Sequence, residues 1–152
     1  MKQLSIFFVL LMVIGFSSCK KDDSLSESEQ LVEDVKLIEN YLSDHNLTAE
    51  KTNSGLHYII SDPGTGGHPN INSTVTVQYT GKLLDGTEFD SGTATFPLRN
   101  VIKGWQEGIP LFKLKGRGKL LIPSYIGYGP SGSNSIPPNA VLVFDIYLIS
   151  FN

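Results

Sequence analysis

Three kinds of residue in this chain have chemistry to offer: a single cysteine (Cys19), three histidines, and a set of aromatic side chains with one acid among them. His57 and His68 stand in strand and turn surroundings with no cysteine or paired acid at metal-ligand spacing, so both read as solvated side chains, and His45 as a solvated helix cap. The run Gly64-Thr65-Gly66-Gly67 lacks the Gly-Lys-Ser string and following helix of a phosphate loop, and no serine stands in a nucleophile-elbow context. No metal site and no cofactor are expected. The aromatic set remains: Tyr79, Phe89, Trp105, Tyr128 and Phe144, with Asp90 directly after Phe89. Buried Tyr, Phe and Trp in a small β domain are usually core. An acid beside Phe89 is an odd choice for a pure core, which keeps a functional reading open beside the structural one.

The elements that must position these residues follow from periodicity. The 152 residues have room for one domain plus appendages. From Glu27 to Asp44, Leu31, Val35, Ile38 and Leu42 recur at helical spacing while Glu29, Glu33, Asp34, Lys36 and Glu39 fall elsewhere. This predicts an amphipathic helix, opened by a Ser26/Glu29 capping box, whose apolar stripe docks on the following domain or on a second copy of the chain. Short strands are predicted over Leu56 to Ser61, Val75 to Leu84, Phe96 to Leu98, Lys113 to Ile122 and Val141 to Phe151. Turns are predicted at Asp62-Pro63-Gly64, Leu84-Asp85-Gly86-Thr87, Arg117-Gly118 and the long Gly129 to Asn139 loop. The glycine-bounded Val101 to Gly108 is more helical. The economical arrangement is an α+β domain, one antiparallel sheet with a single short helix against it. Lys113, Lys115, Arg117 and Lys119 alternate as the wet face of a strand does, and no nucleic-acid partner is expected.

The first residues have the three-part layout of a secretory signal: Lys2, the apolar run Leu4 to Phe16, then Ser17 and Ser18 before Cys19. The run is short for a bilayer span. It resembles a bacterial lipobox, in which the cysteine is diacylated; the other reading is an export signal with an incidental cysteine. Residues 1–18 are thus expected to be the signal, 19–26 a lipidated cysteine and tether, and 27–53 a helical arm. Lys20-Lys21-Asp22-Asp23 resembles the surface-export signals of some Gram-negative lipoproteins, or is a solvated charge run. The expected location is the cell envelope, lipid-anchored at the outer membrane, on its periplasmic side or at the cell surface. Asp22 to Glu50 is acidic with Lys36 as its only base, which separates the arm from the domain that follows.

Five strings then stand in one order: Val77-Gln78-Tyr79-Thr80-Gly81, Leu84 to Ser91, Val101 to Gly108, Ile122-Pro123 through Gly127-Tyr128-Gly129, and Ile136 to Ala140 with Leu142-Val143-Phe144-Asp145. Over 54–152 the chain resembles the FKBP-type prolyl isomerases. The resemblance implies a half-wrapped sheet curling around the short helix, with a pocket between them for a proline side chain. It implies catalytic roles for Tyr79, Phe89, Asp90, Trp105 and Tyr128, with Trp105 as the pocket floor. Substrate binding falls to Phe96, Val101, Ile102, Ile136 and Phe144. Proline-containing polypeptides are the implied partners and macrolides the implied inhibitors, and the N-terminal helix offers a homodimer as one of the two readings of its stripe. The sequence departs from the family between Asp90 and Phe96, where the stretch is short and Ala94 replaces a pocket aromatic. The alternative function is therefore a non-catalytic, lipid-anchored peptide-binding or chaperone module.

The implied reaction is rotation about an Xaa-Pro bond, in which no bond is made or cut. Its barrier of about 18 to 20 kcal/mol comes from amide resonance. A catalyst needs only an environment that favours the twisted imide over the planar one.

Overall fold

The computed structural model describes residues 25–152, so the signal segment, Cys19 and most of the tether lie outside the described residues. Helix α1 spans Glu27–Asp44, the predicted range. Its capping box is complete: Ser26 Oγ accepts from the Glu29 backbone N–H at 3.3 Å, and the Ser26 N–H donates to Glu29 Oε2 at 2.9 Å. The helix stops where Asn46 turns to a φ of 54°, with His45 exposed at the cap as expected.

Six strands follow: β1 (Glu50–Lys51), β2 (His57–Asp62), β3 (Thr74–Leu83), β4 (Glu88–Pro97), β5 (Arg117–Ile122) and β6 (Leu142–Phe151). They form one antiparallel sheet in the order β1-β2-β5-β6-β3-β4. A short helix α2 (Lys103–Gly108) lies between β4 and β5 in sequence. Alternation along the strands sorts the apolar residues to two faces. Val75, Val77, Leu120, Ile122, Phe144, Ile146 and Leu148 gather with Trp105, Ile109 and Phe112 on the inner face. Leu121, Val141 and Val143 gather on the outer face with Ile38 and Leu42 of α1. The stripe of α1 therefore docks on its own domain, and Ile38, fully buried, contributes roughly 1.5–3 kcal/mol.

Several expectations are corrected. The strand predicted at Phe96 to Leu98 begins at Glu88 and runs ten residues. It is an edge strand with most side chains exposed, so it lacks the apolar alternation that a half-buried strand shows. Arg117-Gly118 is not a turn: Gly118 pairs with Ile60 and Ile146, and the reversal falls earlier, at Lys115 with φ 66°. Lys113 and Lys115 thus precede the strand. Arg117 lies 3.6 Å over the Tyr147 ring, and Lys119 pairs with Asp145.

His57 is not solvated. It is only 3% exposed, and its Nδ1 lies 2.9 Å from the Gly55 carbonyl oxygen. Burial holds its pKa below the usual histidine range, although the Gly55 hydrogen bond works the other way. The unfolded chain takes up a proton near pH 6.5 that the fold refuses. The His57 contribution is thus complete above about pH 6.5 and is lost as pH falls through the lower folded pKa. Denaturant midpoints should drop between pH 7.5 and 5, and His57→Gln should flatten that drop; an equal drop in both proteins would assign the loss to other groups.

Candidate active site

Helix α2 is set by its own sequence. Gln106 Nε2 donates to the carbonyl oxygens of Val101 at 2.7 Å and Arg99 at 3.2 Å, tying the entering loop to the helix. Gly104 and Gly108 face Ile122 and Leu120, where added Cβ atoms would meet side-chain carbons at 2.5 Å and 2.6 Å, so the helix lies directly on β5. Trp105, between those glycines, is 6% exposed. Ser54 Oγ donates to both Glu107 carboxylate oxygens at 2.9 and 2.8 Å, and the Tyr125 hydroxyl donates to the Ser54 carbonyl at 2.8 Å. That clasp on α2 carried no signal in the sequence.

The opposite wall comes from β3, β4 and β6. The β3–β4 register shifts between Gly81 and Lys82: Gly81 pairs with Asp90 and Lys82 with Glu88, leaving Phe89 as an extra residue. The bulge lets two consecutive residues, Phe89 and Asp90, face the same cavity, which a regular strand forbids. Phe89 meets Phe144 edge to face at 5.5 Å, Phe144 meets Trp105 at 5.0 Å, and Trp105 meets Tyr79 at 5.1 Å. Phe96 packs against Trp105 at 5.4 Å.

These rings enclose a cavity of about 370 Å³. It is lined by Tyr79, Phe89, Asp90, Phe96, Val101, Ile102, Trp105, Tyr128 and Phe144, nine of the ten expected pocket residues, and by Ala94 and Asn100. Asn100 was not anticipated; a polar residue ending a single helical turn gave nothing to read. Ile136 stands apart, in an adjoining recess of about 290 Å³ that shares Phe89, Asp90 and Tyr128 and is otherwise lined by Ser133, Asn134 and Ser135. A wider cleft of about 640 Å³ lies elsewhere, lined by polar groups such as Gln78, Thr80, Arg117 and Asp145. Its lining suits water rather than an apolar ring, so lining rather than volume selects the aromatic cup.

Polar groups enter the lining at Tyr79, Asp90, Asn100 and Tyr128. The Tyr79 hydroxyl donates to Asp90 Oδ2 at 2.8 Å. Burial, with that hydrogen bond and the Asp90 charge adding to it, pushes the Tyr79 phenol up to about 12. Burial and then the Asp90 charge also raise Tyr128. Both phenols stay neutral near pH 7 and keep an O–H to donate.

The arrangement is an apolar aromatic cup between a bulged sheet and a short helix, with a Tyr–Asp pair at its edge. The family model of the FKBP-type peptidyl-prolyl cis-trans isomerases matches residues 66–149, and the chain belongs to that family. An FKBP-type peptidyl-prolyl cis-trans isomerase FkpA of Aeromonas hydrophila is 44% identical over 126 residues, which cover 78% of this chain and 47% of that protein. The outer membrane protein MIP of Legionella longbeachae is 46% identical over 103 residues, 64% of this chain and 44% of that protein. The chain thus spans about half the length of the curated relatives it matches. The crystal structure of FkpA from Escherichia coli superposes with a TM-score of 0.71 at 31% identity, covering 85% of this chain and 74% of that one. A peptidyl-prolyl cis-trans isomerase from Pseudomonas syringae superposes at 0.72 and 29%, covering 85% and 98%.

Proposed function

We propose that this protein is a peptidyl-prolyl cis-trans isomerase that assists the folding of exported proteins, with proline-containing polypeptides as substrates. The observation that carries the reading is the cup itself: about 370 Å³ of aromatic and aliphatic wall around a Trp105 floor. The planar imide separates charge between carbonyl oxygen and ring nitrogen, and the twisted one separates less. Moving the twisted form into an apolar cup therefore costs less, and that difference lowers the barrier. In this mechanism Phe89, Phe96, Val101, Ile102, Trp105 and Phe144 hold the proline ring, and the Tyr128 hydroxyl donates to a substrate carbonyl. Tyr79 fixes Asp90 at the rim, and Ile136 contacts residues flanking the proline. A macrolide of matching shape would compete for the same cup.

The test is a protease-coupled assay of a short Xaa-Pro peptide with protein made from Lys20 onward. Isomerisation should run well faster than the uncatalysed tens to hundreds of seconds. Binding of the peptide without acceleration would favour the non-catalytic chaperone reading, which Ala94 in the cup wall supports.

The domain division proposed is 1–18 signal, 19–26 lipidated cysteine and tether, 27–53 arm and 54–152 isomerase domain. The lipobox-like sequence and the likeness to the Legionella outer membrane protein MIP support a lipid-anchored envelope location, outer membrane included. Cys19→Ser should release the protein to the soluble fraction with its unfolding midpoint unchanged; retention of that variant on membranes would end the lipoprotein reading. A homodimer through α1 would use Val32 and Leu37, which are exposed, with Leu25 just before the helix, because Ile38 and Leu42 are engaged on the sheet.

A further inference from the structure

Asp34 was expected on the wet side of α1, yet it is fully buried. Its Oδ2 accepts from the Ser124 backbone N–H at 2.7 Å and from Ser124 Oγ at 2.6 Å, and its Oδ1 accepts from Gln30 Nε2 at 2.8 Å. Ser124 opens the single turn Ser124–Ile126, which follows β5 after Pro123. That turn closes through Gly127 N–H to the Ser124 carbonyl at 2.9 Å, and the next residue is Tyr128 at the cup. Tyr128 is 38% exposed, so packing around its ring leaves the turn that carries its backbone a share in setting its place.

A buried carboxylate is an expensive way to dock a helix, and apolar contacts are cheaper. Ile38 and Leu42 already make those contacts. What the carboxylate adds is direction, because a backbone N–H held by a buried acceptor has one place to be. We infer that Asp34 is a positioning residue for the cup, acting through Ser124 to fix the turn that presents Tyr128. The helical arm is then part of the working domain rather than a spacer. The inference deepens the isomerase reading and rests on it only for the kinetic arm of its test.

The test compares Asp34→Leu, Asp34→Asn and Ser124→Ala in the full chain, by kcat/KM per folded molecule and by fluorine NMR of fluorotyrosine-labelled protein, with Tyr128 assigned by Tyr128→Phe. Asp34→Leu should lower kcat/KM about tenfold and shift or broaden the Tyr128 resonance while Tyr79 stays in place. Asp34→Asn keeps an oxygen for Ser124, and Gln30 can turn its carbonyl to the new amide, so activity should stay within about twofold. If Asp34→Leu fails to fold, Ser124→Ala, which removes one of the two bonds, should still move the Tyr128 resonance. Folded Asp34→Leu or Ser124→Ala with Tyr128 unmoved and kcat/KM unchanged overturns the inference. A Tyr128 resonance that moves in a protein without isomerase activity supports the positioning role and overturns the isomerase reading instead.

Discussion

Phe89→Ala should lower kcat/KM for an Xaa-Pro peptide by about tenfold or more, with secondary structure intact. Phe89 is half-buried, projects from a bulge and touches Phe144 edge to face, so its ring serves the cup more than the fold. Replacing such a wall by water removes roughly 1.5 kcal/mol or more of apolar contact with a bound proline, about a tenfold effect. Tyr128→Ala should act in the same direction. Ala94→Phe should act in the opposite one, raising kcat/KM or tightening macrolide binding, because Ala94 lies on the cup wall where a ring would add cover. Trp105→Leu is the less clean test, because Trp105 is 6% exposed and its truncation also costs core packing of a few kcal/mol. Unchanged isomerisation in folded Phe89→Ala and Tyr128→Ala would remove the cup as the catalytic site and favour the peptide-binding module.

How far the sequence could be read depended on whether one short rule governed each element. Helix α1 obeys one, a capping box followed by a stripe at helical spacing, and its range matches residue for residue. The same rule misplaced Asp34, because periodicity sorts residues by polarity and cannot foresee a polar partner arriving from Ser124, ninety positions away in the chain. His57 was misjudged for a related reason: the Gly55 carbonyl that satisfies it is visible only once the chain has turned. Strand β4 hid because it is an edge strand, and its bulge, which faces both Phe89 and Asp90 into the cup, leaves no mark in the alternation. The cup residues were named through family resemblance. For Phe144 and Val101 the residues themselves leave core and pocket equally open, and the geometry puts both on the cavity wall.

Gly118→Ala should give the largest loss of stability of any single methyl added to the domain. Gly118 was expected at a turn, where its freedom to take positive φ would explain it, but it sits inside β5 and pairs with strands on both sides. What it provides is room. A Cβ built there would fall 1.9 Å from the Ile59 carbonyl oxygen and 2.9 Å from Phe112 Cε1. A backbone carbonyl held in a sheet cannot step aside as a side chain can, so β2 must separate locally from β5, at a cost of about 3 kcal/mol or more. Gly81→Ala is the control. Its Cβ would meet Phe89 carbons at 2.6 Å and Phe144 Cε1 at 2.7 Å, both on side chains. Those rings can turn, so Gly81→Ala should fold with a loss of about 1–3 kcal/mol while the cup is deformed and kcat/KM falls sharply. Soluble yield, unfolding midpoint and kcat/KM, measured on both variants, separate the two effects. A Gly118→Ala protein that unfolds at the wild-type midpoint would show that β2 gives way at Ile59 without cost, and a fully active Gly81→Ala would show that Phe89 and Phe144 are free to move without harm to the reaction.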